Sequence, residues 1–317
     1  MRIVFFGSGE FGLPALAHLH ANHDLVAVIS QPDRPAGRRR SVTPTGVARW
    51  AQTAGVTLVR CPNVNDMALI CQVAAYRADA AVVIAFGQKL GPALLEVLGP
   101  WAINLHGSLL PQYRGAAPIA WAMIRGEHET GLSVISLAVR MDAGLIYGQQ
   151  RIAIDPDWTA GELHGRLAAM GPALIEQMLV RIIAGTLEGH QQDETQVTRA
   201  PKLSKRDGQV NFTLDAVTVR CRIHGLTPWP GVRVRWQRRR DGREQHLIVQ
   251  RVKDDPHLAH NEPPGTVLPD CRVAVGTGAV QLLQVQLPGR RPMPMAAFAH
   301  GHQLAAGDLL LGPSAGD

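Results

Sequence analysis

The chain has 317 residues, 46% of them apolar, which is more than one typical domain needs and enough to fill about two cores. No run of about 20 residues is apolar and free of charge, and the opening Met1 to Gly7 is too short and strand-like for a signal segment. These features exclude a membrane span and predict a soluble cytoplasmic protein. The formal charge of +6 permits an anionic partner without naming one.

Taken in chain order, Arg2 to Phe6 predicts a buried strand, followed by the turn Gly7-x-Gly9-x-x-Gly12 and a helix from Leu13. Further strands are expected at Leu25–Ile29, Ala80–Ala85 and Ala102–Leu105, with helices at Val47–Ala54, Asp66–Tyr76 and Pro92–Leu98 between them. Such alternation predicts an α/β domain with a mostly parallel sheet covered on both faces. Ile119–Ile124 continues as a helix, Ser133–Val139 as a strand and Gln150–Ile154 as its antiparallel neighbour. Thr159 with Glu162 forms a capping box, and Gly171-Pro172 is expected to break or kink the helix it opens. Domain boundaries are expected at 1–189, a polar linker at 190–206 and a second domain at 207–317.

In that second domain the period falls to two. Val210–Phe212, Val232–Trp236, His246–Val252, Gly265–Leu268, Cys271–Val275 and Val280–Gln286 predict short strands of a small antiparallel barrel, with one helix at Asp215–Ile223. Cys61, Cys71, Cys221 and Cys271 have no C-x-x-C spacing, so neither a disulfide nor a structural zinc is expected. Arg34, Arg38, Arg39, Arg40 and Arg49 form one basic patch without an acid among them, and Arg233 to Lys253 a second. Two such patches suit a nucleic-acid groove.

Three features carry chemistry. The glycine turn fits either a dinucleotide pyrophosphate or a tight structural turn, and Asp33, the acid a ribose would need, lies beyond a proline. In INLHGSLLPQYRGAAP, Asn104 and His106 end a central strand on one side of it, where ligands of open parallel sheets bind. Asp142, ending another strand in Met141-Asp142-Ala143-Gly144, brings a carboxylate within reach. The trio suits acyl transfer: two donors for a developing oxyanion and a carboxylate that charges the imidazole and helps remove a proton. The alternative is a turn cap, a satisfied histidine and a solvent-facing turn residue. Ser108 lacks a nucleophile elbow, and His18 and His20 point in different directions for a metal. Trp229, in Thr227-Pro228-Trp229-Pro230-Gly231, is either a base-stacking platform or an anchor packing a turn onto the barrel.

Asn104-x-His106-x-Ser108-Leu109-Leu110-Pro111, Arg114 to Ile119, and Met141-Asp142-x-Gly144 together resemble the core of the methionyl-tRNA formyltransferase family. Gln31 to Arg38, Ala200 to Ser204 with Asp207-Gly208, Leu226 to Gly231, and Leu287 to Arg290 extend the resemblance over nearly the whole chain. It implies a Rossmann-like formyltransferase domain and a C-terminal OB-like β-barrel. It further implies formyl transfer from 10-formyltetrahydrofolate to the α-amine of methionyl initiator tRNA, with no metal and no nicotinamide nucleotide. Asn104, His106 and Asp142 are the implied catalytic residues. Ser108, Leu109, Leu110, Pro111, Phe86 and Gly87 are expected against the folate, and Arg34, Arg38, Arg39 and Arg40 against the tRNA. A monomer without membrane contact is expected.

The chain departs from the family pattern at Arg39-Arg40, at Thr45-Gly46 and at Phe86, where a tyrosine is common. Rival readings are a formyltransferase for another amine, an RNA-binding module with a decayed catalytic domain, and a dehydrogenase.

Overall fold

The computed structural model describes residues 1–36 and 41–312. These form two compact units. The first comprises Met1–Gly115, Gly131–Ile152 and His164–Arg199; the second comprises Ala116–Thr130, Ala153–Leu163 and the chain from Ala200 onward.

The first unit is built on a seven-stranded sheet in the order Ile146–Ala153, Glu129–Ser136, Ala102–His106, Ala80–Ile84, Arg2–Gly7, Asp24–Ser30, Leu58–Arg60. The strands from Ala102–His106 to Leu58–Arg60 run parallel, and Glu129–Ser136 pairs antiparallel with Ala102–His106. Ile3 to Phe6 and Ala80 to Ile84 are buried throughout, the pattern of strands covered on both faces. Their apolar side chains meet Leu69, Ile70, Val73, Leu94 and Leu98 from the helices Met67–Ala75 and Pro92–Leu98. The expected strand 133–139 lies four residues earlier in its start, because Gly131 extends the pairing: a Cβ there would collide with the Gln150 carbonyl.

The helix Ala160–Ile183 runs without a break through Pro172. Buried Leu163, Leu167, Leu174, Ile175, Met178, Leu179 and Ile182 keep one apolar stripe on both sides of the proline, and this packing outweighs the lost N–H. Gly171 permits the approach, since a Cβ would stand 2.9 Å from Leu105. The capping box forms: Glu162 Oε2 accepts from Thr159 N at 2.7 Å, and Glu162 N donates to Thr159 Oγ1 at 3.4 Å.

The second unit is a nearly closed antiparallel barrel, its strands in the order Arg272–Ala274, Ala279–Gln286, Glu244–Asp255, Val232–Gln237, Leu309–Leu311. Bridges from Thr266 to Leu309 and from Val267 to Val273 bring the two edges together. Gly265–Leu268 thus contributes bridges rather than a full strand, and Val210–Phe212 contributes two buried side chains without a ladder. The helix Met295–His302, which no periodicity predicts, plugs the barrel with Phe298 edge-on to Trp236 at 5.4 Å. Helix Pro118–Ile124, placed with the first domain by sequence alone, packs here against Ala216–Gly225. Gly225 makes this possible, since a Cβ on it would press on Ile124. Among the described residues the four cysteines are free, with Cys71 exposed. No described helix is long and apolar enough to cross a membrane.

His224 is fully buried in this unit. Its Nε2 accepts from Val252 N and its Nδ1 donates to Pro156 O, both at 3.1 Å, which fixes a neutral tautomer. Burial, above all, pushes its pKa below the ordinary value of 6.5, with Arg220 and Arg251 adding to the effect against the Pro156 carbonyl. A lowered folded-state pKa means that the unfolded chain takes up the proton first. Stability is therefore complete above pH 6.5 and is lost as pH falls from there towards the folded-state value. Urea midpoints at pH 7.5 and 5.5 are expected to differ more in the wild type than in His224→Gln, and an equal difference would refute this assignment.

Candidate active site

The first turn behaves as a structural turn. Ser8 and Gly9 both donate their N–H groups to the Ala85 carbonyl, at 3.3 and 3.1 Å, instead of leaving them free for a pyrophosphate. A Cβ on Gly7 would run into the Phe5 ring of the same strand and one on Gly12 would stand 3.0 Å from that ring, with Ile84 of the neighbouring strand at 3.0 and 3.3 Å, so close packing accounts for both glycines. Asp33 is held by Arg60 at 2.8 Å. Ser8 Oγ instead accepts from Gln31 N at 3.1 Å, tying this turn to the loop that leads to Arg34.

Asn104 and His106 lie on the strand Ala102–His106, paired with Ile135 and Ser133 respectively. The strand brings both to its carboxyl end on one face. His106 is buried and its Nε2 lies 3.0 Å from the Tyr113 carbonyl. A carbonyl only accepts, so Nε2 carries a proton in that bond and Nδ1 is the ring atom left for other work. Nδ1 lies 3.7 Å from Asp142 Oδ1. The Asp142 Oδ2 accepts from Gly115 N at 2.9 Å. The Asn104 amide, half-buried, has no side-chain hydrogen-bond partner among the described residues. Strand, turn and the segment after Tyr113 therefore bring all three side chains of the predicted trio into one region of the first unit. The alternative of a solvent-facing Asp142 fits poorly, since its side chain is 12% exposed and its carboxylate ties down Gly115, while His106 has the satisfied ring that the same alternative expects.

The Ser108–Pro111 segment is braced from below. Fully buried Ser133 accepts from Leu110 N at 3.0 Å and donates to Ser108 O at 2.7 Å, and Gln149 Nε2 reaches both Ser133 Oγ and Leu110 O. Ser108 spends its hydroxyl on the Gln112 carbonyl at 2.6 Å, and Leu110 packs with Ile135 and Ile146. Leu109 and Pro111 keep partly exposed surface. Phe86 turns its ring into the core against Phe6, and its carbonyl accepts from Gln31 at 2.7 Å, so any ligand there meets the Phe86–Gly87 main chain and not the ring. Arg34 is exposed on a two-stranded ribbon, Arg34–Ala36 with Ser41–Thr43. Arg38, Arg39 and Arg40 lie outside the described residues.

Sequence reasoning missed the supports. Arg114 is buried and forks onto Gln192 Oε1 at 2.9 and 2.7 Å and onto Glu194 at 3.0 Å. Glu194 also meets Arg140 at 2.9 Å, and the hydrogen bonds from the two arginines hold its carboxyl below the ordinary value. The arginine was visible in the quoted stretch, but nothing in the polar run after Gly189 marks Gln192 or Glu194 as its partners. His18 reaches Glu176 at 3.0 Å while His20 meets the Trp50 ring edge, so the two do point apart. Among the described residues no group of three or more His, Cys, Asp and Glu side chains is placed to hold a metal ion. In the second unit Trp229 is 53% exposed, so the side chain leaves about half of its surface open.

Residues 1–179 match the Formyl transferase family and residues 202–303 the Formyl transferase C-terminal domain. The chain is 37% identical to the methionyl-tRNA formyltransferase of Sorangium cellulosum over 314 residues, covering 98% of this chain and 99% of that one. It is 36% identical to that of Methylococcus capsulatus, covering 96% and 98%. An N-formyltransferase from Helicobacter canadensis, solved with folinic acid and dTDP-3-aminofucose, shares the fold at a TM-score of 0.65 and 15% identity, covering 90% of this chain and 98% of that one. With both halves of the chain matched and near-complete coverage of its relatives, the chain belongs to the methionyl-tRNA formyltransferase family.

Proposed function

We propose that the protein transfers the formyl group of 10-formyltetrahydrofolate to the α-amine of methionyl initiator tRNA, releasing tetrahydrofolate. The family membership supports the reaction, and the observation that carries the chemistry is the approach of His106 Nδ1 to Asp142 beside Asn104. In this reading the neutral amine attacks the formyl carbon and negative charge grows on the formyl oxygen. The Asn104 amide and a protonated His106 Nδ1 stabilise that oxygen, while the Asp142 carboxylate sustains the imidazolium. The new C–N bond forms as the bond to folate N10 breaks. The proton lost by the amine passes by way of Asp142 and ends on N10, so the step is neutral overall.

Leu109, Pro111 and the main chain of Phe86–Gly87 are the proposed folate contacts, with Ser108 and Leu110 shaping that wall from inside. Arg34 and Arg38 to Arg40 are proposed to meet tRNA phosphates, which predicts a binding affinity that weakens steeply with salt. One chain is taken as the active unit, to be checked by sedimentation.

The deciding experiment is single-turnover formylation with excess enzyme and 10-formyltetrahydrofolate, comparing methionylated initiator and elongator tRNA. Rapid formylation of the initiator alone is expected. Failure of both tRNAs with a folded, folate-binding protein would reject the tRNA assignment and leave another amine as acceptor.

A further inference from the structure

We infer that Gln192 is a positioning residue for Asp142, coupling the turn that carries this carboxylate to the buried guanidinium of Arg114. The inference rests on the reaction proposed above for Asp142.

Asp142 stands at φ +54, the left-handed region that side-chain-bearing residues rarely adopt. The next glycine is enforced differently: a Cβ on Gly144 would overlap the Ser136 carbonyl, so the turn lies hard against the strand Glu129–Ser136. A turn of this kind needs partners for its main-chain carbonyls. Gln192 supplies them from one amide, its Nε2 donating to Asp142 O and to Gly144 O, each at 2.8 Å. The other end of the same amide, Oε1, accepts both the Nε and the Nη2 of Arg114.

Arg114 immediately precedes Gly115, whose N–H binds the Asp142 carboxylate at 2.9 Å. The Asp142 main chain and its side chain are thus fixed to the same short segment by two routes, one of them passing wholly through Gln192. His106 Nε2 is bonded to Tyr113 O in that segment as well. Gln192 therefore sets the separation of Asp142 from His106 without facing the reacting atoms. Only a carboxamide meets the requirement, because donors must point at two carbonyls and an acceptor at a guanidinium fork. A carboxylate would satisfy the arginine and repel both carbonyls.

The test is a double-mutant cycle of Gln192→Ala with Asp142→Asn in the full chain, read by single-turnover formylation of methionyl initiator tRNA, with Gln192→Glu alongside. Native-state hydrogen exchange of the segment 141–145 gives a second readout that needs no substrate. Gln192→Ala is expected to slow the formyl-transfer step about tenfold, leave the KM for tRNA little changed, and speed exchange in 141–145. In the Asp142→Asn background the same substitution is expected to cost much less, because its effect acts through the carboxylate. Gln192→Glu, which keeps the Arg114 contact, is expected to be no better than Gln192→Ala.

Independent, multiplicative losses in the cycle would overturn the inference, as would a Gln192→Glu enzyme with wild-type rate. Unchanged exchange in 141–145 would overturn it even if the wild type formylates no tRNA. Inactive wild type with faster exchange in Gln192→Ala would instead reject the proposed reaction and leave the turn-fixing role standing.

Discussion

His106→Ala is expected to lower the single-turnover rate of formylation about 10²- to 10³-fold, equivalent to about 2.7–4 kcal/mol of transition-state stabilisation. Asn104→Ala is expected to fall in the same range. The effect belongs on the rate and not on the KM for tRNA, because the proposed donors act on an oxygen whose charge appears only in the transition state. His106 also satisfies the Tyr113 carbonyl from within a buried site, so the alanine variant loses a structural bond as well. His106→Asn and a thermal-unfolding control separate the two: a variant that unfolds like the wild type yet turns over slowly reports on the chemistry. Retention of roughly half the wild-type rate by folded His106→Ala would be incompatible with an oxyanion role worth this much.

Much of this site could be read before any fold was known, and the reason is local. Asn104 and His106 lie two apart on one strand, so the two-residue period alone puts them on one face. Asp142 follows a different strand, and its nearness to His106 comes from the pairing of Glu129–Ser136 with Ala102–His106, which strand alternation by itself does not state. The supports of the site were not legible. Gln192 lies 50 residues from Asp142 in a stretch without periodicity, and it reaches the turn through main-chain carbonyls, which no side-chain pattern encodes.

The same limit governs the fold. Buried strands such as Ala80–Ile84 stand out as continuous apolar runs. By contrast Leu58–Arg60 and Leu309–Leu311 are edge or closing strands of three residues, too short for a period to accumulate. At Pro172 a local rule predicted a break or a kink; of the two, the break does not occur, because burial on both sides of the proline carries the helix through. Gly7, Gly9 and Gly12 match a nucleotide motif, but what they accommodate is the Phe5 ring and the neighbouring strand end at Ile84 and Ala85.

The largest stability loss is expected from Asp308→Ala in the barrel. Asp308 is 2% exposed, yet its carboxylate is fully engaged. Oδ2 accepts from Trp236 Nε1 at 2.9 Å and from Ala305 N at 3.1 Å, and Oδ1 accepts from Arg239 N at 2.9 Å. Trp236 is itself wholly buried, with Phe298 at one edge and the Arg238 guanidinium 4.6 Å from its ring centre. The carboxylate therefore joins three segments: the strand Val232–Gln237 through Trp236, the turn after it through Arg239, and the approach to the closing strand Leu309–Leu311. Alanine would leave three donors without their acceptor, one of them an indole N–H in the core. At about 1–3 kcal/mol for each unsatisfied buried group, partly relieved by water entering beside Ala305, a loss of about 3–5 kcal/mol is expected. Asp308→Asn retains one oxygen but turns an amide N–H₂ towards one set of donors, so an intermediate loss is expected. Urea unfolding followed by tryptophan fluorescence measures both, and a Asp308→Ala protein within about 1 kcal/mol of wild type would mean that the closing strand is held by its apolar contacts, chiefly Leu310, and not by this carboxylate.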